Sequence, residues 1–165
     1  MDVERTSDLS GQLLALRGSG PEGLRNGSHS LRPVAEVNGV EYVDDTRGTF
    51  LDASLLSILD LGKPLVWIVD ATMAPALDGR IQEFMRDHVD CTVFFGRAGT
   101  AAIEALDAGL GCVYGVDDLR TAVFTARELA SPGGKVLFSP ACPSAKGAAN
   151  QTDLSAVFKR AVMDL

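Results

Sequence analysis

Asp44 and Asp45 stand side by side and are followed by Thr46, Arg47 and Thr49, which brings two carboxylates, a guanidinium and two hydroxyls into one short stretch. Such a set at a strand end, just ahead of a helix, can bind an anion or position a nucleotide. The helix start offers free N–H groups, and a guanidinium grips a carboxylate or phosphate through paired hydrogen bonds. The same residue types are ordinary helix caps, with Asp45 or Thr46 satisfying the free N–H groups, so residue type alone leaves both readings open. A second polar cluster, Ser139-Pro140-Ala141-Cys142-Pro143-Ser144, follows the last apolar strand and would line the same cleft. Asp70 closes another strand, where it could touch a ligand, although a strand-end carboxylate commonly just bonds loop backbone.

The remaining candidates carry less chemistry. His29 and His88 are the only histidines, and His88 sits among Arg86, Asp87 and Asp90 in what reads as a solvated helix end, so neither builds a triad or a metal site. Gly18-Ser19-Gly20-Pro21-Glu22-Gly23 matches the spacing of a dinucleotide-binding loop but lacks the strand before it and the helix after it, and reads as linker. Gly133-Gly134-Lys135 resembles the end of a phosphate loop, yet Val136 stands where a hydroxyl should follow and a strand comes next, so it reads as a turn. Cys91, Cys112 and Cys142 are odd in number and lack Cys-x-x-Cys spacing, and are expected to be reduced, with Cys142 a small, partly buried thiol.

The elements that must position these groups follow from periodicity. The first 28 residues are rich in Gly, Ser, Asn and charge and read as a flexible leader outside the fold, with the domain spanning residues 29–165. Val34 to Val43 fold about Asn38-Gly39, the pair that accepts the positive φ angles of a two-residue hairpin turn. Phe50, Leu51, Leu55, Leu56 and Ile58 share a helical face. Strands are expected at 64–69, 91–95, 111–114 and 135–138, with Gly96 ending the second. Helices fall between them: one around 81–85, one near 101–108, one from an Asp117 or Asp118 cap to Ala130, and a last one over 153–163. The pattern predicts a three-layer, Rossmann-like α/β domain, a mostly parallel sheet of about six strands opened by an antiparallel hairpin, with helices on both faces.

Composition bounds the function. A chain of 165 residues has room for one ordinary domain, and 46% hydrophobic residues suffice for its core. A net charge of −7 repels nucleic acid and anionic lipid. The longest apolar run, 64–69, is far short of the roughly 20 residues that cross a bilayer, and the acidic start at Asp2, Glu4 and Asp8 is unlike a secretory signal. A cytoplasmic location is expected.

Several of these blocks together resemble the C-terminal domain of the Mur ligases of peptidoglycan synthesis, in particular the branch that adds D-glutamate. Residues 34–45 resemble the entry to that domain, Lys63 to Ile68 and Val93 to Gly96 its next strands, and Lys135 to Ser144 its Leu-Ser-Pro-Ala-Cys-Ala-Ser segment, continuing to Val162. The resemblance covers residues 28–165 and implies a fold in which this domain brings in the amino acid and closes over ATP held by a separate central domain. It implies that Asp45 lies near the nucleotide, and that Arg47, Thr49 and Ser144 lie at the amino-acid substrate. Arg47 takes the place of a lysine, and a planar fork does not duplicate a point charge.

Other departures remove charge. The family's His-Arg pair appears as His29-Ser30, its Gly-Gly-x-Asp-Lys-Gly stretch as Asp70-Ala71-Thr72-Met73-Ala74-Pro75, and its substrate-packing aromatic as Gln151. The expectation is a stand-alone, degenerate C-terminal domain with no catalytic or metal-ligating residue of its own and no cofactor when alone. It would serve as a ligand-binding or protein-interaction module linked to peptidoglycan precursor synthesis. The alternative is one subunit of a split ligase, using ATP and magnesium. Expected partners are a protein carrying the central and N-terminal ligase domains, a complete ligase, or a small anionic ligand, and neither nucleic acid nor a membrane.

Overall fold

The computed structural model describes residues 9, 11–13, 15, 31–46, 50–96, 100–141 and 148–165. In chain order the elements are β1 (Arg32–Val37), β2 (Val40–Asp44), α1 (Leu51–Leu61), β3 (Leu65–Asp70), a 3-10 helix (Ala71–Ala76), α2 (Gly79–His88), β4 (Cys91–Phe95), α3 (Thr100–Leu110), β5 (Val113–Val116), α4 (Leu119–Leu129), β6 (Lys135–Phe138) and α5 (Ala148–Met163). The strands form one sheet in the order β1-β2-β6-β3-β4-β5. Only β1–β2 is antiparallel, and its turn is the expected one, with Asn38 at φ 52° and Gly39 at φ 78°. β1 is an edge strand, where the missing N–H of Pro33 costs no internal ladder bond and the register breaks between Pro33 and Ala35.

Two-residue alternation divides the sheet's side chains between two cores. Val43, Leu65, Trp67, Val69, Phe94 and Leu137 point to the face covered by α1, the 3-10 helix, α2 and α3. Tyr42, Val66, Ile68, Val93, Val136 and Phe138 point to the opposite face, covered by α4 and α5. The chain moves outward from β2 to β5 with its helices on the first face and returns from β5 to β6 with α4 on the second. Direction and face reverse together, so every crossover has the same hand. β6 is therefore flanked on both sides by strands whose chains leave toward the other face, which makes its carboxyl end the topological switch point of the sheet.

The starts of α2 and α4 are set by aspartates. Asp78 accepts from the Ile81 amide at 3.1 Å, and Asp118 caps α4 by accepting from the Thr121 amide at 2.8 Å, as the sequence predicted. The Thr121 amide and then its hydroxyl, both donating to Asp118, hold that carboxyl below its ordinary range.

Three expectations are corrected. Cys91 and Cys112, read as reduced, form a disulfide with Cα atoms 4.9 Å apart, because Cys91 opens β4 and Cys112 immediately precedes the neighbouring parallel strand β5, a proximity that sequence spacing does not reveal. Phe50, placed on the buried face of α1, lies at the N-cap with 68% of its surface exposed, because the helix begins one residue later. Leu13, assigned to the leader, is 1% exposed and belongs to the first core with Leu9 packed against it, since leucines on a short helical turn gain by leaving water. No helix among the described residues is long and apolar enough to cross a membrane.

The two phenylalanines test this core assignment. Phe158 is fully buried and its ring lies 5.0 Å from that of Phe138. Phe158→Ala is expected to cost about 3–5 kcal/mol in urea unfolding, whereas Phe50→Ala should stay within about 0.5 kcal/mol of the parent.

Candidate functional site

The carboxyl edge of the sheet is stitched beyond the strands themselves. The Asp45 amide donates to Phe138 O (2.7 Å), the Ser139 amide to Ile68 O (3.2 Å) and the Asp70 amide to Pro140 O (3.3 Å), so the segments leaving β2, β6 and β3 are fixed to one another. Within that frame the Asp45 side chain is fully buried, and its Oδ2 accepts from Ser139 Oγ at 2.8 Å and from Ser57 Oγ at 2.9 Å. Since Ser139 spends its one hydroxyl proton on Asp45, the 2.5 Å contact between Ser54 Oγ and Ser139 Oγ is donated by Ser54. Trp67 Nε1 donates to the Ser139 carbonyl at 2.9 Å. The chain of donors ends on the carboxylate, an arrangement in which each bond polarises the next.

Asp44 is buried too, and does different work. Its Oδ1 accepts from the Thr46 amide (2.9 Å) and hydroxyl (2.7 Å), and its Oδ2 accepts from Ser155 on α5. Asp44 thereby ties β2 to the helix on the second face while Asp45 ties it to α1 on the first. Neither Asp45 nor Thr46 caps α1, whose N-cap is Phe50 without a side-chain bond. The capping alternative is thus replaced by two buried struts. Ala141, 1% exposed, takes φ 61°, a left-handed conformation costing about 1 kcal/mol in a non-glycine residue, and turns the chain out of the ladder after Pro140.

Of the residues singled out from sequence, the structure brings together Asp45 and Ser139 and places Asp70 beside them. Asp70 accepts from the Thr72 amide (2.8 Å) and hydroxyl (2.6 Å), capping the 3-10 helix, which is the loop-bonding role expected of it. Arg47, Thr49, Ser144, Cys142, His29, the glycine string at 18–23 and the side chain of Gln151 lie outside the described residues. Lys135 starts β6 at the opposite edge of the sheet and donates to Leu61 O at 3.0 Å, so Gly133-Gly134-Lys135 is a turn, as read. His88 packs on Phe84, with ring centroids 4.5 Å apart. Among the described residues no three His, Cys, Asp or Glu side chains converge in a way that could hold a metal ion. Sequence reasoning passed over Ser54, Ser57 and Ser155. The signal for the first two was legible: polar residues three apart within the apolar stripe of α1 need buried partners.

The mostly parallel strand order, the switch point at β6 and helices on both faces define a Rossmann-like α/β domain. No protein-family model matches the chain. It is 35% identical to a UDP-N-acetylmuramoylalanine–D-glutamate ligase of Methylobacillus flagellatus over 144 residues, which is 83% of this chain and 30% of the ligase. It is 31% identical over 166 residues to the enzyme of that name from Pelotomaculum thermopropionicum, covering 100% of this chain and 34% of the relative. The enzyme of that name from Bordetella parapertussis is 33% identical over 144 residues and is covered to 27%. The chain belongs to this Mur-ligase family and corresponds to the C-terminal part of its members. It spans about a third or less of the length of these curated relatives.

Two outcomes check the geometry. Ser155→Ala leaves one oxygen of the buried Asp44 without its α5 donor and should destabilise the domain by about 1–3 kcal/mol in denaturant titration. Burial lowers the pKa of His88, a shift opposed by the Asp87 charge and aided by that of Lys63. Below its ordinary pKa of 6.5 the unfolded chain therefore binds more protons at His88 than the folded one, and this contribution to stability falls as pH drops from 6.5 toward the folded pKa. His88→Gln is expected to flatten that part of the stability–pH curve.

Proposed function

We propose that this domain is a Mur-ligase C-terminal module that has kept the architecture of the crevice and lost the charges that would make it a ligase on its own. The observation that carries the reading is the segment after β3. Where the resemblance implies a lysine for the amino-acid carboxylate, residues 71–76 form an uncharged 3-10 helix with Ala71 and Ala74 buried. Among the described residues, those following β2 (45–46 and 50), β3 (71–76) and β6 (139–141) include no lysine or arginine. The acyl-phosphate route that the resemblance implies needs cationic groups and magnesium to neutralise phosphoryl charge. Asp44 and Asp70 already accept from neighbouring donors, and Asp45 accepts from two serines, so the described residues do not fit ATP with its metal. What they do is hold the segments leaving β2, β6 and β3 in fixed relation, a platform suited to a small ligand or to a partner protein of peptidoglycan precursor synthesis.

A second reading is favoured by the identity of 31–35% to complete ligases: the domain works together with ligase domains supplied by another chain. One experiment separates the two. The protein, given ATP, magnesium, D-glutamate and UDP-muramoyl-alanine, is expected to release no phosphate above blank, and sustained turnover by the protein alone would overturn the first reading. Turnover that appears only on adding the sugar-nucleotide- and ATP-binding portion of a Mur ligase would establish the second.

A further inference from the structure

We propose that Cys91 and Cys112 are a redox modification site, a reversible thiol–disulfide pair whose co-reactant is a low-molecular-weight disulfide and whose state sets how firmly β5 and α3 are held to the sheet. Cys91 opens β4 and Cys112 immediately precedes the adjacent parallel strand β5, their Cα atoms lie 4.9 Å apart, and both are only half-buried, so a small thiol or disulfide can reach them. Opposite them the ladder continues, with the Thr92 amide donating to Cys112 O at 3.1 Å.

The bond ties down an edge strand in which burial is weak. β3 has five fully buried residues in succession, whereas in the four-residue edge strand β5 Val113 and Val116 are half-buried and Tyr114 and Gly115 are exposed. α3 leans on β5 through Ile103, whose Cδ1 lies 3.5 Å from where a Cβ on Gly115 would stand, and Leu106 is its one buried hydrophobic side chain among those described. An edge unit with so little buried apolar surface is the part of a sheet that opens locally at low cost, and a covalent closure around α3 opposes that opening. At its far end β5 holds the crevice side of the sheet: Val116 O accepts from the Gly96 amide at 3.0 Å, and Gly96 takes φ 105° at the end of β4. Loosening β5 therefore frees the residue that ends β4 at the functional edge.

The chemistry balances without an added oxidant beyond that disulfide. One cysteine thiolate attacks a sulfur of the small disulfide, forming a mixed disulfide and expelling one small thiolate. The second cysteine thiolate attacks the protein sulfur of the mixed disulfide, closing Cys91–Cys112 and expelling the other. The two protons given up by the cysteines end on the two released thiols. Reduction runs the same steps backward.

The test uses the full chain with oxidised and reduced glutathione. Under denaturing conditions the oxidised protein should be alkylated only at Cys142 and the reduced protein at all three cysteines. In hydrogen exchange on the native protein, reduction should speed amides of 92–96 and 112–116 by at least about tenfold while β2 and β6 stay unchanged, and reoxidation should restore protection. A Cys91→Ser/Cys112→Ser variant should show the fast pattern whatever the glutathione state. Alkylation at Cys91 and Cys112 after oxidation, exchange indifferent to redox state, or acceleration shared equally by β2 and β6 would each overturn the proposal, and the wild-type comparison decides even if the double variant does not fold.

Discussion

Ser139 is the residue on which the domain's functional edge depends. Its amide donates to β3, its carbonyl accepts from Trp67 in the first core, and its hydroxyl donates a hydrogen bond to the buried Asp45 while accepting from Ser54 on α1. A buried carboxylate is costly unless hydrogen bonds replace its lost water, and two serine donors on Oδ2 do part of that here. Because those donors come from β6 and α1, meeting the electrostatic need of one side chain fixes the relative positions of β2, β6, β3 and the first helix. The sheet order then decides where this matters, since β6 is the strand at which crossovers reverse.

The proposed loss of ligand-handling charge is compatible with an intact carboxyl edge. The struts at Asp44 and Asp45 are directed inward, toward Ser155 on one face and toward Ser57 and Ser139 on the other, and they maintain the fold whether or not a ligand is handled. The segment after β3 faces a different demand. It must only close a turn between Asp70 and α2, and alanines, a threonine and a proline do so as a 3-10 helix capped by Asp70. Architecture and ligand-handling charge therefore rest on separate residues, and one can be lost without the other.

Much of the fold was legible because it rests on local physics. Asn38-Gly39 specifies its turn by φ, the 65–69 run alternates between two cores, and Asp118 caps the helix assigned to it. What was hidden is what chain order does not encode. The insertion of β6 between β2 and β3 brings Ser139 to Asp45 across 94 positions, and the same sheet order brings Cys91 to Cys112. The carboxylate cluster was found by residue type, but its roles were exchanged: the expected caps proved to be internal struts, and their partners were serines hidden within a helix's apolar stripe. Arg47, Thr49 and Ser144, assigned through the family resemblance, fall outside the described residues and remain assignments by likeness.

The central claim is that Asp45 and Ser139 act as a unit in holding the carboxyl edge together. A double-mutant cycle in urea unfolding measures this directly, using Asp45→Asn, Ser139→Ala and the pair. Shared dependence predicts a coupling energy of about 1–3 kcal/mol, the double variant being less destabilised than the two single losses added together. Losses that add to within about 0.5 kcal/mol would show two independent residues and contradict the account.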